Sequence, residues 1–489
     1  MARYITTTLP YVNADPHIGH AVELLQADAS ARASRARGEE VFFNTGTDEH
    51  GQKILRAARE AGREVQEYVD HYAARFGKLS DALGLSEHAF IRTTAAAHGG
   101  AAREMWRRCD ASGDIYKKSY TGLYCIGCEA YKTEKDLVEG ACPDHGGVVL
   151  EKITEENYFF RLSNYQDFLL NDYLVRPEAI SPEWRRKEAI QFVQSGLEDI
   201  SISREKARLS WGVSVPGDDT QVMYVWFEAL TNYISTLGWP SDKDGKFKKF
   251  WEEGHTLQVA GKDQVRFQSI LWQAMLTSAK IKNTDQVFYH GFITSEGKKM
   301  SKSLGNVISP YEMVEKYGTD ATRYILLRHI HPSEDTDITW ERMDEWYTAN
   351  LVNGLGNLVA RVMKLAEQHL SPPVGIADSA KDAKRKHTTI DTELEQLHFS
   401  NAMDSIFTKV SAADAQITET EPYKKIKSTD EKERESAREE IAELARSLAE
   451  ISADLSWAMP STSEKILRAV HENKKPENLF PRLEKYPTS

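Results

Sequence analysis

The sequence predicts an α/β fold, a doubly wound parallel sheet interrupted by a cysteine knuckle and followed by a helical bundle. Three observations predict it. A strand, helix, strand unit opens the chain, an apolar run at 257–260 ends in Gly261-Lys262-Asp263 as a strand end would, and the pattern turns helical from about residue 347. At 489 residues the chain is too long for one core and should divide into several domains.

Residues 3–9 are rich in β-branched side chains and read as the first strand. Asp15-Pro16 offers a helix cap followed by proline at the first helical position, so a helix is predicted from Pro16 to Gly38, a residue suited to the left-handed position past a helix end. Residues 41–44 give the second strand. His17-Ile18-Gly19-His20 then falls in the first turn of that helix, at the sheet edge where nucleotides bind. Its two imidazoles share a face, and Gly19 holds no side chain against a purine or ribose. Standing alone, the word reads more readily as two surface histidines at a helix start.

Farther on, Cys125-Ile126-Gly127-Cys128 and Cys142-Pro143-Asp144-His145 form two knuckles with metal-ligand spacing. Four such ligands close a tetrahedral site, so one structural Zn²⁺ per chain is expected at Cys125, Cys128, Cys142 and His145. Cys109 is left as a buried free thiol. The sheet should resume near Asp219, with 221–226 as a strand. Lys299-Met300-Ser301-Lys302-Ser303 follows between glycines, a mobile loop whose lysines can meet charge as it develops on a leaving pyrophosphate. Ser309-Pro310 should start a helix ended by Gly318, and Thr319 should cap the next. Ile441, Leu444, Leu448, Ile451 and Leu455 make the apolar stripe of a bundle helix, and 371–390 reads as a long polar loop.

Net charge is −12, opposite to the footprint of a protein coated in nucleic acid, so RNA contact would use local basic patches such as 381–387 and 424–427. The blander reading of those runs is a solvated face. No apolar signal core opens the chain and no apolar run would span a bilayer, so a soluble cytoplasmic protein without membrane contact is expected.

Collinear motifs along nearly the whole chain resemble class I aminoacyl-tRNA synthetases, and among them the methionyl-tRNA synthetases. They are Leu9-Pro10-Tyr11-Val12-Asn13 leading to the histidine word, Thr45-Gly46-Thr47-Asp48-Glu49-His50-Gly51, Tyr224-Val225-Trp226-Phe227-Glu228-Ala229, the lysine loop, and Leu479-Phe480-Pro481-Arg482. The resemblance implies a Rossmann-like catalytic domain at 1–114 and 217–291, a connective insertion with the zinc knuckle at 115–216, and a stem-contact segment at 292–346. It also implies an α-helical anticodon-binding domain at 347–489. The activity implied is ligation of L-methionine to tRNA(Met) through an adenylate, with ATP as its Mg²⁺ complex and first transfer to the 2′-hydroxyl. The sequence ends soon after the bundle, so no additional dimerisation domain, and a monomer, are expected.

By the same resemblance His17 and His20 act on ATP and its transition state, with Gly19, Gly261, Asp263 and His290 around the nucleotide and Lys299 and Lys302 on the triphosphate. Leu9, Tyr11, Asp48, Trp226, Ala229, Tyr233, Gln264, Gln268 and Trp272 would surround methionine, Asp48 pairing with its ammonium. Trp226, Ala229 and Tyr233 would share one face if a single helix began there. Asn357 and Arg361, four apart on a helix, would read anticodon bases. Tyr423, after Pro422, stands where relatives carry tryptophan, and Gln264 and Gln268 stand where they carry isoleucine and histidine. Gln268 can replace the histidine in orienting Tyr233, with Gln264 turned outward. Two other functions fit part of the pattern: a class I enzyme charging leucine, valine or cysteine, and a non-catalytic RNA-binding paralogue.

Overall fold

A computed structural model describes residues 2–132, 137–143, 149–300, 306–371 and 388–483, apart from the side chains of Ala130 and Lys299. The chain forms two compact units. One comprises residues 1–16, 39–78 and 87–290, and the other 17–38, 79–86 and 291–489.

The first unit is built on a parallel sheet of β1 (Ala2–Thr7), β2 (Glu40–Thr47), β3 (Ala89–Arg92), β4 (Ile180–Ser181), β5 (His255–Gly261) and β6 (Gln286–His290), in spatial order β3-β2-β1-β5-β6-β4. The order reverses between β1 and β5, the switch point at whose carboxyl ends ligands bind in such sheets. Tyr4, Ile5, Phe43, Val259 and Tyr289 lie in its core.

An antiparallel sheet runs through Ala130–Lys132, Ile115–Cys125, Glu151–Phe160 and Ile200–Ser201. Contrary to expectation, 221–226 is not a strand of the parallel sheet. The strand is Asp218–Met223, antiparallel to Ser203–Glu205, and Gln221 is held there because its amide accepts from Ser203 Oγ at 2.6 Å and donates to the Glu156 carbonyl at 2.8 Å. Trp226 therefore falls on a short helix, Val225–Ala229. A second short helix, Asn232–Ser235, carries Tyr233, so the expected single face for Trp226, Ala229 and Tyr233 is broken.

In the second unit the helix after β1 spans Ile18–Ala36, two residues later than predicted, and its cap is His17 rather than Asp15. The Asp15 carboxylate is instead paired with Arg75 in the first unit. Past the helix end Gly38 has φ +79°, as its position demanded. Asp28 of this helix forms a fully buried ion pair with Arg323 at 2.7 Å, and the same guanidinium donates to the carbonyls of Leu83, Trp457 and Ala458. Pro310–Tyr317 follows its proline as predicted and ends at Gly318. Thr319 does not cap the next helix, because its hydroxyl donates to the Ala82 carbonyl at 2.9 Å. Helices Asn357–His369, Phe399–Thr420, Glu431–Leu455 and Pro460–His471 make the bundle, with Ile441, Leu444, Leu448, Ile451 and Leu455 all buried. Most of the predicted loop at 371–390, including the basic run 381–387, lies outside the described residues. Among the described residues no helix is long and apolar enough to cross a membrane.

Candidate active site

His17 and His20 cap each other. His17 Nδ1 accepts from the Gly19 N–H at 3.1 Å, His20 Nδ1 accepts from the His17 N–H at 3.2 Å, and the rings stack with centroids 3.8 Å apart. An imidazole whose Nδ1 accepts must carry its proton on Nε2. The reciprocal cap thus leaves each neutral ring with Nε2–H as its donor. A Cβ on Gly19 would come within 3.0 Å of His17 Cε1, so a larger residue would disturb this pair. In the same unit the lysine loop opens as a hairpin, Ile293–Ser295 against Lys298–Lys299, turned by Glu296 and Gly297 at positive φ and pinned by the Gly297 N–H on Asp337. Lys302 lies outside the described residues, and for Lys299 only the backbone is described.

The remaining candidates gather in the first unit. Gly261 ends β5 opposite His290 at the end of β6, and a Cβ on Gly261 would meet Asp263 Oδ1 at 2.8 Å. Tyr11, next to the exit of β1 through Leu9 and Pro10, donates to Glu129 Oε2 at 2.9 Å and forms a backbone bridge with Asp48. Gly51 is required beside them, since it has φ +109° and a Cβ there would lie 2.2 Å from the Tyr11 hydroxyl. Asp48 is buried, and its Oδ1 has no hydrogen-bond partner. Burial, then the negative charges of Glu228 and Glu129, push its carboxyl well above the usual range. Such a group is primed for a cation.

Trp226 stacks on Phe267 at 4.0 Å and Tyr233 tilts against Trp272 at 5.7 Å, giving aromatic surfaces of the sort that enclose a thioether. Gln268 Nε2 donates to the Tyr233 hydroxyl at 2.7 Å, whereas the Gln264 amide bonds Asp263 at 2.9 Å. The two glutamines part company because Gln264 ends a 3₁₀ turn, Lys262–Gln264, and Gln268 sits on a wider π-type turn, Arg266–Leu271. Gln268 Oε1 and Trp272 Nε1 are buried without partners.

The Sγ atoms of Cys125, Cys128 and Cys142 lie within 4.8 Å of one another, a donor set that fits a thiophilic metal, while His145 lies outside the described residues. Cys109 is buried and unbridged, its thiol pushed up to about 12 by burial. In the bundle Asn357 and Arg361 share a helix, and Arg361 pairs with Asp414 at 2.8 Å. The Tyr423 hydroxyl donates to Glu421 at 3.2 Å.

Residues 3–149 and 146–363 match the family model described as tRNA synthetases class I (M). The chain belongs to the methionyl-tRNA synthetase family. It is 41% identical to a methionine–tRNA ligase of Caldanaerobacter subterraneus subsp. tengcongensis, over 95% of this chain and 73% of that one. With the methionine–tRNA ligase of Rhizobium meliloti it shares 39% identity, over 96% and 91% of the two chains. Its structure resembles Mycobacterium tuberculosis methionyl-tRNA synthetase bound by methionyl-adenylate, with a TM-score of 0.88 at 33% identity and 99% coverage of both chains. For the apo form of that protein the TM-score is 0.82 at 31% identity, covering 100% of this chain and 99% of the other.

One group of site residues escaped the sequence reading. Glu129, Glu228, His50 and His98 converge around Asp48 and the aromatic helix from four separate parts of the chain. His50 and Glu228 stand inside recognised motifs and Glu129 adjoins one, but nothing in their spacing announces a cluster.

Proposed function

We propose that the enzyme ligates L-methionine to tRNA(Met) in two steps. A carboxylate oxygen of methionine attacks the α-phosphorus of ATP, present as its Mg²⁺ complex, and pyrophosphate leaves. The terminal ribose hydroxyl of tRNA then attacks the carbonyl of methionyl-adenylate, and AMP leaves. The observation that carries this reading is the buried, partnerless carboxylate oxygen of Asp48, in the same unit as the aromatic pairs Trp226–Phe267 and Tyr233–Trp272. Such a carboxylate suits an ammonium and such surfaces suit a flexible thioether.

No nucleophilic side chain is needed. Positioning and charge stabilisation suffice, each well-placed donor being worth about 3 kcal/mol in a transition state. In this reading the Nε2–H groups of His17 and His20 donate to phosphoryl oxygens, Lys299 and Lys302 meet the pyrophosphate, and Gly261, Asp263 and His290 accommodate the nucleoside. Asp48 takes the ammonium, with Leu9, Tyr11, Trp226, Ala229, Tyr233, Gln268 and Trp272 around the side chain and Gln264 turned toward Asp263. Cys125, Cys128, Cys142 and His145 would hold Zn²⁺, which supplies structural cross-linking. Asn357, Arg361 and Tyr423 would read the anticodon. The division into catalytic halves, insertion, stem-contact segment and anticodon-binding domain belongs to the same reading, as do a cytoplasmic location and a monomeric state. Pyrophosphate exchange with each of the twenty amino acids tests it. Methionine should exchange far faster than leucine, valine or cysteine, and a preference for any other amino acid, or no exchange at all, rejects it.

A further inference from the structure

Glu228 has no place in the mechanism above, yet it is fully buried and both its oxygens are engaged. Oε1 is bonded to His50 Nδ1 and Oε2 to His98 Nε2, each at 2.8 Å, and His98 Nδ1 reaches Ser235 Oγ at 3.0 Å. The elements so joined matter. His50 stands two residues past Asp48, Glu228 lies between Trp226 and Ala229 on Val225–Ala229, and Ser235 ends the helix that carries Tyr233. Helices of one turn have little stability of their own and take their position from what grips them. Here a single carboxylate grips the ammonium side and the side-chain side of the proposed methionine site together.

The charge points the same way. Burial opposes ionisation of Glu228, but His50 and His98 outweigh it and hold the carboxyl below its usual range, so it remains an anion. Around Asp48 the other charged groups are Glu129 and Glu49, with the His50 N–H opposing them and Arg92 paired to Glu49 at 2.6 Å. The Glu228 anion behind Asp48 favours a cationic occupant over a neutral one of equal shape.

We infer that Glu228 is a positioning residue for amino-acid recognition, clamped by His50 and His98 so that it aligns the Asp48 loop with the aromatic helix and biases the site toward an ammonium group. The inference rests on the reading of the enzyme as methionine-activating. Two ligands separate this role from plain structural support. Methioninol keeps the thioether and ammonium, and 2-hydroxy-4-(methylthio)butanoate keeps the thioether and carboxylate but has no ammonium.

Glu228→Gln, nearly isosteric, should weaken methioninol binding by calorimetry about tenfold, the scale of one lost charge beyond the first contact. Binding of the hydroxy acid should stay within about twofold, and the KM for methionine should rise with that for ATP unchanged. Equal weakening of both ligands, or of neither, overturns the inference. Should that chain fail to fold, His50→Asn, which cuts the tether to the Asp48 loop, is measured instead, with the same ammonium-selective loss expected and the same results overturning it. Methionine-dependent exchange by the parent is measured first. Its absence defeats the functional reading, whereas its presence with ligand-independent losses defeats only the role of Glu228.

Discussion

Gln268→Leu gives the most exacting test of the amino-acid site, because stability and binding should move in different directions. The substitution keeps a similar volume and removes the 2.7 Å bond from Gln268 Nε2 to the Tyr233 hydroxyl, at a cost of about 1 kcal/mol. It also removes Oε1, a buried acceptor with no partner, whose relief is worth about 1 to 3 kcal/mol. The net effect on folding lies between zero and about 2 kcal/mol of added stability. Methionine binding should suffer, since Tyr233 loses the donor that sets its hydroxyl. We expect the methionine KM in pyrophosphate exchange to rise about five- to tenfold with kcat nearly unchanged, the pattern of lost uniform binding. Gln268→His, which restores a donor, should stay within about twofold of the parent. A melting temperature several degrees lower with an unaltered KM would refute the reasoning. It would mean that Oε1 is bonded and that the glutamine serves the core alone.

Other expectations concern parts of the chain farther from methionine. Arg323→Met leaves Asp28 buried with Arg32 and the hydroxyl and N–H of Ser86 but without its fully buried cation, and should destabilise the second unit by about 3 to 5 kcal/mol in denaturant titration. Burial opposes the Asp28 charge, but Arg323, then Arg32 and Ser86, outweigh it and depress the carboxyl, so its contribution is full above about pH 4 and is lost as pH falls through the lower folded value. Stability of the parent should therefore decline on acidification over that window, and the variant should show a shallower decline. Native mass spectrometry should find one zinc per chain, and Cys142→Ser should lose it together with thermal stability of the insertion. Arg361→Ala should raise the KM for tRNA about tenfold and leave pyrophosphate exchange unchanged; equal charging of tRNA by variant and parent rejects its anticodon role.

Much of this protein is legible from local signals. The strands on either side of the first helix, Gly38 past its end, Pro310 at the next helix start and the stripe from Ile441 to Leu455 each follow from what a few neighbouring residues can do. The cysteine and histidine words belong to the same kind of information, since their members lie close along the chain and the described ones meet. Where the sequence misled, a distant partner had claimed a residue: Arg75 took Asp15 from the helix cap, Ala82 took the Thr319 hydroxyl, and Ser203 and Glu156 drew Gln221 into an antiparallel sheet.

The amino-acid site shows the limit most clearly. Asp48 and Trp226 stand in recognisable words, and Gln264 and Gln268 could be seen to depart from the family pattern. That Gln264 turns to Asp263 while Gln268 meets Tyr233 depends on a 3₁₀ turn running into a π-type turn, which no periodicity announces. The grip of Glu228 on His50 and His98 joins residues 178 and 130 positions apart. Local sequence determined which elements form, because helix caps, turns and alternation act over a few residues. Only the tertiary structure decided which buried charges meet, because their ionisation depends on burial and on partners the fold brings from far along the chain.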